Sequence, residues 1–505
     1  MEISGHASSE LESSAPVGIT PMWVLRRIFS FPVMLGSVLV VLGMLTVRSR
    51  FDDPDMWWHL KTGEVIWTNH TIPLSDLFSY TARHQAFVPQ EWLAQLSMYA
   101  AYKADGLAGL MLWLCLLTAI LIIAGYVLCS FYSGNAKVAF AGAMTIWFFA
   151  TIGFSIRPQM IGYILLIFEL LVIHLGRTRN PRWFFWLPVL FLFWINCHGS
   201  FFLGLLVAGI VLFSSFFEFR AGSLLATRWN SHRRWTLGLA LILSFAALFL
   251  NPDGIKQILY PVNTMLHQPI NLGNVEEWKA LAVSDPRGAA LLAIVLCSLL
   301  LVIVGRADLY WDELLLMILG TWLAFSHVRL LFVFGILVAP TFSRQLSASW
   351  DEYRVEKDHI WPNAMMIAAS LLIAVLSFPS ARNLEQQMED LSPVKAVRFI
   401  ENKHLPSPML NDYTFGGYLI WAAPEHPVFM DGRADVYEWA GVLGEFGNWA
   451  TLQSDPNALL QKYKIGFCLL SNRSPMLHVL PLLKDWKQVY SDNNSVIFVR
   501  TKPMP

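Results

Sequence analysis

The chain has 505 residues, 55% of them hydrophobic and only 14% charged, with a mean hydropathy of +0.48. Soluble domains carry about 25% charged residues, so the composition excludes an ordinary soluble enzyme and makes lipid the solvent for much of the chain. Lysine plus arginine and aspartate plus glutamate balance at 36 each, which excludes a nucleic-acid binder driven by bulk charge.

In chain order, the start is Ser-rich and polar (SGHASSELESSAP), and residues 1–30 are expected to form a disordered cytoplasmic terminus. The apolar run after Arg26-Arg27 lacks a small-x-small cleavage site and reads as a retained first span, not a removed signal. Runs near bilayer length recur at roughly 31–47, 107–129, 138–156, 160–176, 183–196, 201–217, 236–250, 289–304, 314–327, 330–345 and 361–378, about eleven spans within a membrane domain of residues 31–378. Alternate loops are rich in arginine (GRTRNPR, EFRAGSLLATRWNSHRRW, SRQLSASWDEYRVEK), while RPQ, NCHGS and SHVR on the other side are nearly bare. The positive-inside rule then puts the N-terminus in the cytoplasm and the C-terminus outside, as in a multi-pass protein of the inner (cytoplasmic) membrane. The 21 Trp and 34 Phe suit interfacial belts and packed spans.

Three large pieces fall on the outer side: loops 48–106 and 251–288, and a tail of residues 379–505 with ordinary charge and turn signals. In the tail, PVFM, IGFCLL and the pair WKQVY–SVIFVR read as strands, the last two joined in a hairpin. PVKAVRFIENK and DPNALLQKYK read as short helices, which makes the tail a small extracytoplasmic α/β domain. Of the five cysteines, Cys115, Cys129, Cys197 and Cys297 lie in or beside apolar runs and Cys468 in the tail, so no disulfide framework is legible.

The densest chemistry follows the first span, in RFDDPDMWWHL. Asp53-Pro54 is a helix-start signal, with Asp as cap and Pro in the first turn. The helix it opens is expected to lie in the membrane interface, with Asp55, His59 and Thr62 on one face and Trp57, Trp58 and Ile66 towards lipid. Capping accounts for one aspartate, not for a second that shares a face with a histidine. Elsewhere, Arg157 and Gln159 sit in a turn too short to need an arginine, and His327 and Arg329 sit in a second such turn. Each arginine is either a forked phosphate ligand or a snorkelling helix-end cation. Asn196, His198 and Ser200 interrupt apolar sequence and either line a cavity or make a turn. Glu276-Glu277-Trp278 combines carboxylates with an aromatic ring, which suits sugar binding as well as a solvated loop. In the tail, Asp412, Asp431, Arg433 and Asp435 are the dense polar positions; an Asp–Arg–Asp structural network and substrate contact are both open. No ligand spacing joins His59, His198 and His327 at a metal.

An aspartate-bearing outer loop straight after the first span, an amphipathic helix, a multispan middle and an extracytoplasmic tail together resemble the GT-C superfamily of membrane glycosyltransferases. The tail motif NDYTFGGYLIW…PVFMDGRADVY is similar to that of a bacterial group of GT-C-like membrane proteins. This chain differs from better-known members in carrying DDPDMWWH where many show an acidic pair followed by Arg and Tyr. The resemblance implies a mainly helical GT-C-like core and transfer of a sugar from a polyprenyl-phosphate donor to a lipid, glycan or protein acceptor. It implies that Asp53 or Asp55 is the base or positions a divalent cation (Mg or Mn), with His59 assisting. Arg157, Gln159, His198, Glu276, His327 and Arg329 are the expected substrate contacts. Two rivals remain: a flippase for lipid-linked glycan, with ionisable residues deep in spans (Glu169 and His174 the nearest), and a non-catalytic scaffold, in which Asp53 and Asp55 point away from any cavity.

Overall fold

The computed structural model describes residues 20–501 except 275, 349, 351–352 and 355–357. A short helix, α1 (Pro21–Ile28), capped by Thr20, stands where disorder is expected; residues 1–19 lie outside the described residues. The chain then runs through α2 (Phe31–Val47), α3 (Met56–Asn69), α4 (Trp92–Ser133), α5 (Ala136–Ala150), α6 (Gln159–Thr178), α7 (Trp186–Cys197) and α8 (Phe201–Ser214). A hairpin, β1 (Phe219–Ala221) and β2 (Leu224–Ala226), precedes α9 (Ser231–Ala247), α10 (Ile255–His267), α11 (Pro269–Asn274) and α12 (Pro286–Ile303). The two-residue β3 (Leu309–Tyr310) pairs in parallel with β2, and α13 (Trp311–Ser326), α14 (Leu331–Ser347) and α15 (Ile360–Ser377) complete the helical core.

Every one of the apolar runs forms or contains a helix. Among the described residues, seven helices are long and apolar enough to cross a membrane. The other four expected spans correspond to α7, α8, α9 and α13, of 12, 14, 17 and 16 residues, which fall short of the roughly 20 needed to cross untilted. Helical geometry breaks inside α4 at Asp105 and Gly106, where the outer loop was expected to end and its span to begin.

The tail comprises α16 (Ala381–Leu391), α17 (Val394–Lys403), β4 (Met409–Asn411), α18 (Gly416–Ala422), α19 (Ala434–Trp439), α20 (Val442–Ala450), α21 (Pro456–Lys462), β5 (Phe467–Ser471), β6 (Trp486–Ser491) and β7 (Ser495–Arg500). Its sheet has the order β4-β5-β7-β6, with β4 parallel to β5 and the other pairs antiparallel. The expected hairpin is β6–β7. PVFM is not a regular strand, because its backbone is bonded elsewhere: Phe429 N–H donates to Asn411 Oδ1, Asn411 Nδ2 donates to the Met430 carbonyl, and Val428 bridges to Ser79 of the segment between α3 and α4.

That bridge is part of a broad docking of loop on tail. Tyr80 OH donates to the Met409 carbonyl at 2.9 Å, and Thr81 Oγ1 donates to the Phe429 carbonyl. The consequence for α3 corrects the interfacial expectation. Trp57, Trp58 and Ile66 are buried, because α3 is wedged between α4 and α18. Trp57 meets the Tyr418 ring edge-on at 5.2 Å and stacks over Trp421, so tail side chains occupy the place assigned to lipid. Close approach is what the tail's glycines permit: a Cβ on Gly417 would strike the Pro54 carbonyl, and one on Gly432 would strike the Asp55 carboxylate.

Candidate active site

The turn before α3 is built by Asp53, whose Oδ1 accepts the Asp55 N–H at 3.0 Å. The helix begins two residues later than expected, with Asp55 at the N-cap position and no side-chain capping bond from it. Neither carboxylate caps, because both are drawn to Arg157 at the start of α6. Asp53 Oδ2 pairs with Nε, and Asp55 Oδ2 lies 2.8 Å from a terminal guanidinium nitrogen. The remaining terminal nitrogen lies 3.5 Å from Glu277. Arg157 is therefore a clamp held by three carboxylates, not the free phosphate ligand its position suggests.

Asp55 forms part of the wall of a cavity of about 440 Å³ where five inter-helix segments and the tail converge. The loop after α2 contributes Asp55, Trp58, His59 and Glu91; the turns before α6 and α8 contribute Arg157, Gln159, His198 and Ser200. The loop of residues 251–288 adds Tyr260, Glu277 and Trp278, the α13–α14 turn adds Arg329, and the tail adds Tyr413, Arg433 and Asp435. Asp53 is not part of the wall, so geometry separates the two aspartates.

Burial sets the electrostatics. It raises Asp55 against the opposing pull of Arg157, and with Asp53 alongside the result is a pKa pushed up to about 6. Asp55 is thus ionised at neutral pH yet a stronger base than a free aspartate. Glu91 is pushed further, to about 8, again by burial and in spite of Arg329 and Arg157, so it is mostly protonated at neutral pH. Its oxygens lie 3.6 Å from His59 Nδ1 and 3.7 Å from His198 Nε2. Both imidazoles are kept neutral: burial, then Arg157, holds His59 well below its usual value, and burial, then Arg329, lowers His198 to about 3. The His198 tautomer follows from its donor. Gln95 Nε2 faces His59 Nδ1 at 3.1 Å, and the Ser200 backbone N–H donates to His198 Nδ1 at 3.2 Å, so the His198 ring carries its proton on Nε2.

The other expected residues divide. Gln159 borders the cavity, but its amide is spent on the Gly153 carbonyl at 2.8 Å. Asn196 is structural, accepting from Trp92 Nε1 and donating to the Leu192 and Leu250 carbonyls. His327 is turned away from the cavity: Nδ1 faces the Trp278 carbonyl at 2.8 Å and the ring meets Trp278 edge-on. Arg329 lies over Trp278 and 3.5 Å from Glu277, a looser tie than those of Arg157. The Glu276 side chain lies outside the described residues; its neighbour Glu277 is the carboxylate at the site. Asp431 and Arg433 form the structural network, with Arg433 bonded to Asp431 and to Asp76 at 2.6 Å and Tyr437 OH donating to Asp431. Asp435 reaches the cavity and accepts from Tyr260 OH at 2.8 Å.

Glu91 and Tyr260 were missed from sequence. The only signal for Glu91 was an acidic residue before the aromatic start of a helix, which reads as an ordinary helix-end charge. A divalent cation does not fit the donor set: Asp53 and Asp55 converge on a guanidinium, and among the described residues no group of three or more His, Cys, Asp or Glu side chains could hold a metal.

No protein-family model matches the chain, and no curated protein matches it. Among solved structures it is similar to the apo oligosaccharyltransferase of Archaeoglobus fulgidus, with 12% identity, a TM-score of 0.51, and coverage of 86% of this chain and 69% of that one. AglB from the same organism, in complex with an inhibitory peptide and a dolichol-phosphate, gives 11% identity, a TM-score of 0.50 and the same coverage. Apo ArnT from Cupriavidus metallidurans gives 14% identity, a TM-score of 0.50, and coverage of 92% of this chain and 96% of that one. At such identities likeness carries the fold, and this chain has the fold of the GT-C membrane glycosyltransferases.

Proposed function

We propose that this chain is a multi-pass glycosyltransferase of the cytoplasmic membrane that moves a sugar from a polyprenyl-phosphate donor to a lipid, glycan or protein acceptor at the outer face. The observation that carries the reading is Asp55, an ionised carboxylate of raised basicity facing a cavity whose wall also includes Arg157 and Arg329. In the step, Asp55 takes the acceptor proton as the acceptor atom bonds to the anomeric carbon. The bond from that carbon to the phosphate oxygen breaks, and polyprenyl phosphate leaves. Arg329, the less committed of the two arginines, steadies the departing charge, while Arg157 and Asp53 fix Asp55 in place. His59 packs against Trp58 and borders the same wall as a neutral polar group. The AglB complex holds a dolichol-phosphate, which supports a lipid-phosphate donor.

The test is transfer from labelled polyprenyl-phosphate sugars in proteoliposomes. Asp55→Asn is expected to lose about 10²- to 10⁴-fold in rate, the worth of a general base. Asp53→Asn, which acts through position, is expected to lose at most about 10²-fold. Unchanged transfer in Asp55→Asn sinks the assignment. Movement of intact lipid without transfer favours the flippase.

A further inference from the structure

The cavity has a polar corner that the transfer step leaves unused. Glu91 stands at the N-cap position of α4 with Gln95 one turn further on, and His198 and Ser200 come from the turn between α7 and α8. The corner is preset from behind. Trp194 Nε1 donates to Ser200 Oγ at 3.0 Å, Ser200 Oγ faces His198 Nδ1 at 2.8 Å, and the Ser200 backbone N–H donates to that same nitrogen. His198 is left with an Nε2–H that stands 3.7 Å from Glu91 Oε1, too far for a hydrogen bond. On the other side His59 Nδ1 lies 3.6 Å from Glu91 Oε2 and close to Gln95 Nε2, while Gln95 Oε1 is buried with no partner. Among the described residues the Glu91 carboxyl makes no hydrogen bond either. Glu91 and His198 both belong to the cavity wall, and their side chains are each 13% exposed.

Unbonded donors and acceptors at a cavity wall suit a ligand that carries hydroxyls. One hydroxyl oxygen about 2.8 Å from both groups accepts from His198 Nε2 and donates to Glu91 Oε1. After burial, the largest charge acting on Glu91 and on His198 is that of Arg329, so the corner lies on the side of the cavity proposed for the departing phosphate. A sugar joined to that phosphate meets the corner. We propose that Glu91 and His198 form the subsite that grips a hydroxyl of the donor sugar, and that this subsite takes an uncharged sugar. The corner's own side chains show which charges it tolerates. Burial keeps Glu91 mostly protonated in spite of Arg329 and Arg157, and burial together with Arg329 keeps His198 neutral. A sugar carboxylate meets the burial that holds Glu91 in its acid form. A sugar ammonium meets the burial and the arginine that hold His198 neutral. The inference rests on the proposed transfer and names the sugar class that the transfer step leaves open.

The experiment measures binding to the full-length protein in proteoliposomes at neutral pH. It compares bare polyprenyl phosphate with the same lipid carrying a neutral hexose, a hexuronic acid or an aminohexose. The hexose is expected to add roughly tenfold in affinity over the bare lipid, the worth of a well-placed hydrogen bond, and the two charged sugars to add nothing. Glu91→Leu and His198→Leu are each expected to abolish the hexose gain while still binding the bare lipid. Glu91→Gln, which keeps a neutral donor and acceptor in place, is expected to restore most of the gain. A hexose that adds no affinity, or a gain that survives Glu91→Leu, overturns the subsite and leaves the corner to water. Equal loss of bare-lipid and hexose-lipid binding in both leucine variants makes the two residues structural and overturns it as well. A charged sugar that gains as much as the hexose overturns the sugar class. If no polyprenyl phosphate binds at all, the donor class and the subsite fall together. If the hexose gain behaves as expected while no acceptor receives the sugar, the subsite stands and the transferase reading falls.

Discussion

At the residue scale, two carboxylates share one cavity and differ in protonation because their partners differ. Asp55 faces a guanidinium, which limits how far burial can raise it, whereas Glu91 faces neutral imidazoles and rises to about 8. A base works deprotonated, so transfer is expected to rise with pH through about 6 as Asp55 loses its proton. Glu91 adds a negative charge to the cavity proposed to hold the donor phosphate when it ionises, so transfer is expected to fall again through about 8. Glu91→Gln removes only the second event. The pH profile of that variant should keep the acid limb and lose the alkaline one; an unchanged profile removes Glu91 from the reaction.

At the element scale, the tail is fastened to the membrane core by a buried ion cluster. Arg433 is held by Asp431 and by Asp76, and Asp76 in turn accepts from Ser79 N–H and Oγ at 3.0 and 2.7 Å. Removing one partner strands buried charge, so Arg433→Ala is expected to cost about 3–5 kcal/mol, read as a large drop in thermal midpoint in detergent. Because Arg433 precedes α19 and Asp435 lies in the first turn of that helix, loosening the clamp should also disturb the cavity wall. The tail motif was visible in sequence, and its Asp–Arg pairing was one of two readings left open. Its third member, Asp76, lies more than 350 residues away in sequence with no local pattern to point to it. Helix periodicity reports which residues share a face, but not what covers that face. This is why α3 was assigned to lipid when the tail was to bury it.

At the scale of the whole molecule, the reading of eleven spans with the N-terminus in the cytoplasm predicts that the tail lies outside the membrane and the β1–β2 hairpin inside. A cysteine replacing the exposed Lys484 in the tail is expected to react with an impermeant maleimide from outside intact cells, and one replacing Arg220 in the β1–β2 hairpin to be protected. The background for both is Cys297→Ser, which removes the one exposed native thiol among the described residues. The reverse pattern inverts the topology.

The amino-acid sequence by itself determined the apolar character, the helices and the polar cluster that follows the first span. Hydropathy and periodicity are properties of contiguous residues, and a charged cluster at the end of a span costs too much to be incidental. The tertiary structure alone decided which carboxylate faces the cavity, that Arg157 is already neutralised, and that Glu91 sits between two histidines. Those outcomes depend on burial and on charges brought together from five separate segments of the chain. Electrostatic energies vary with distance and local dielectric, and neither quantity is written in the order of the residues.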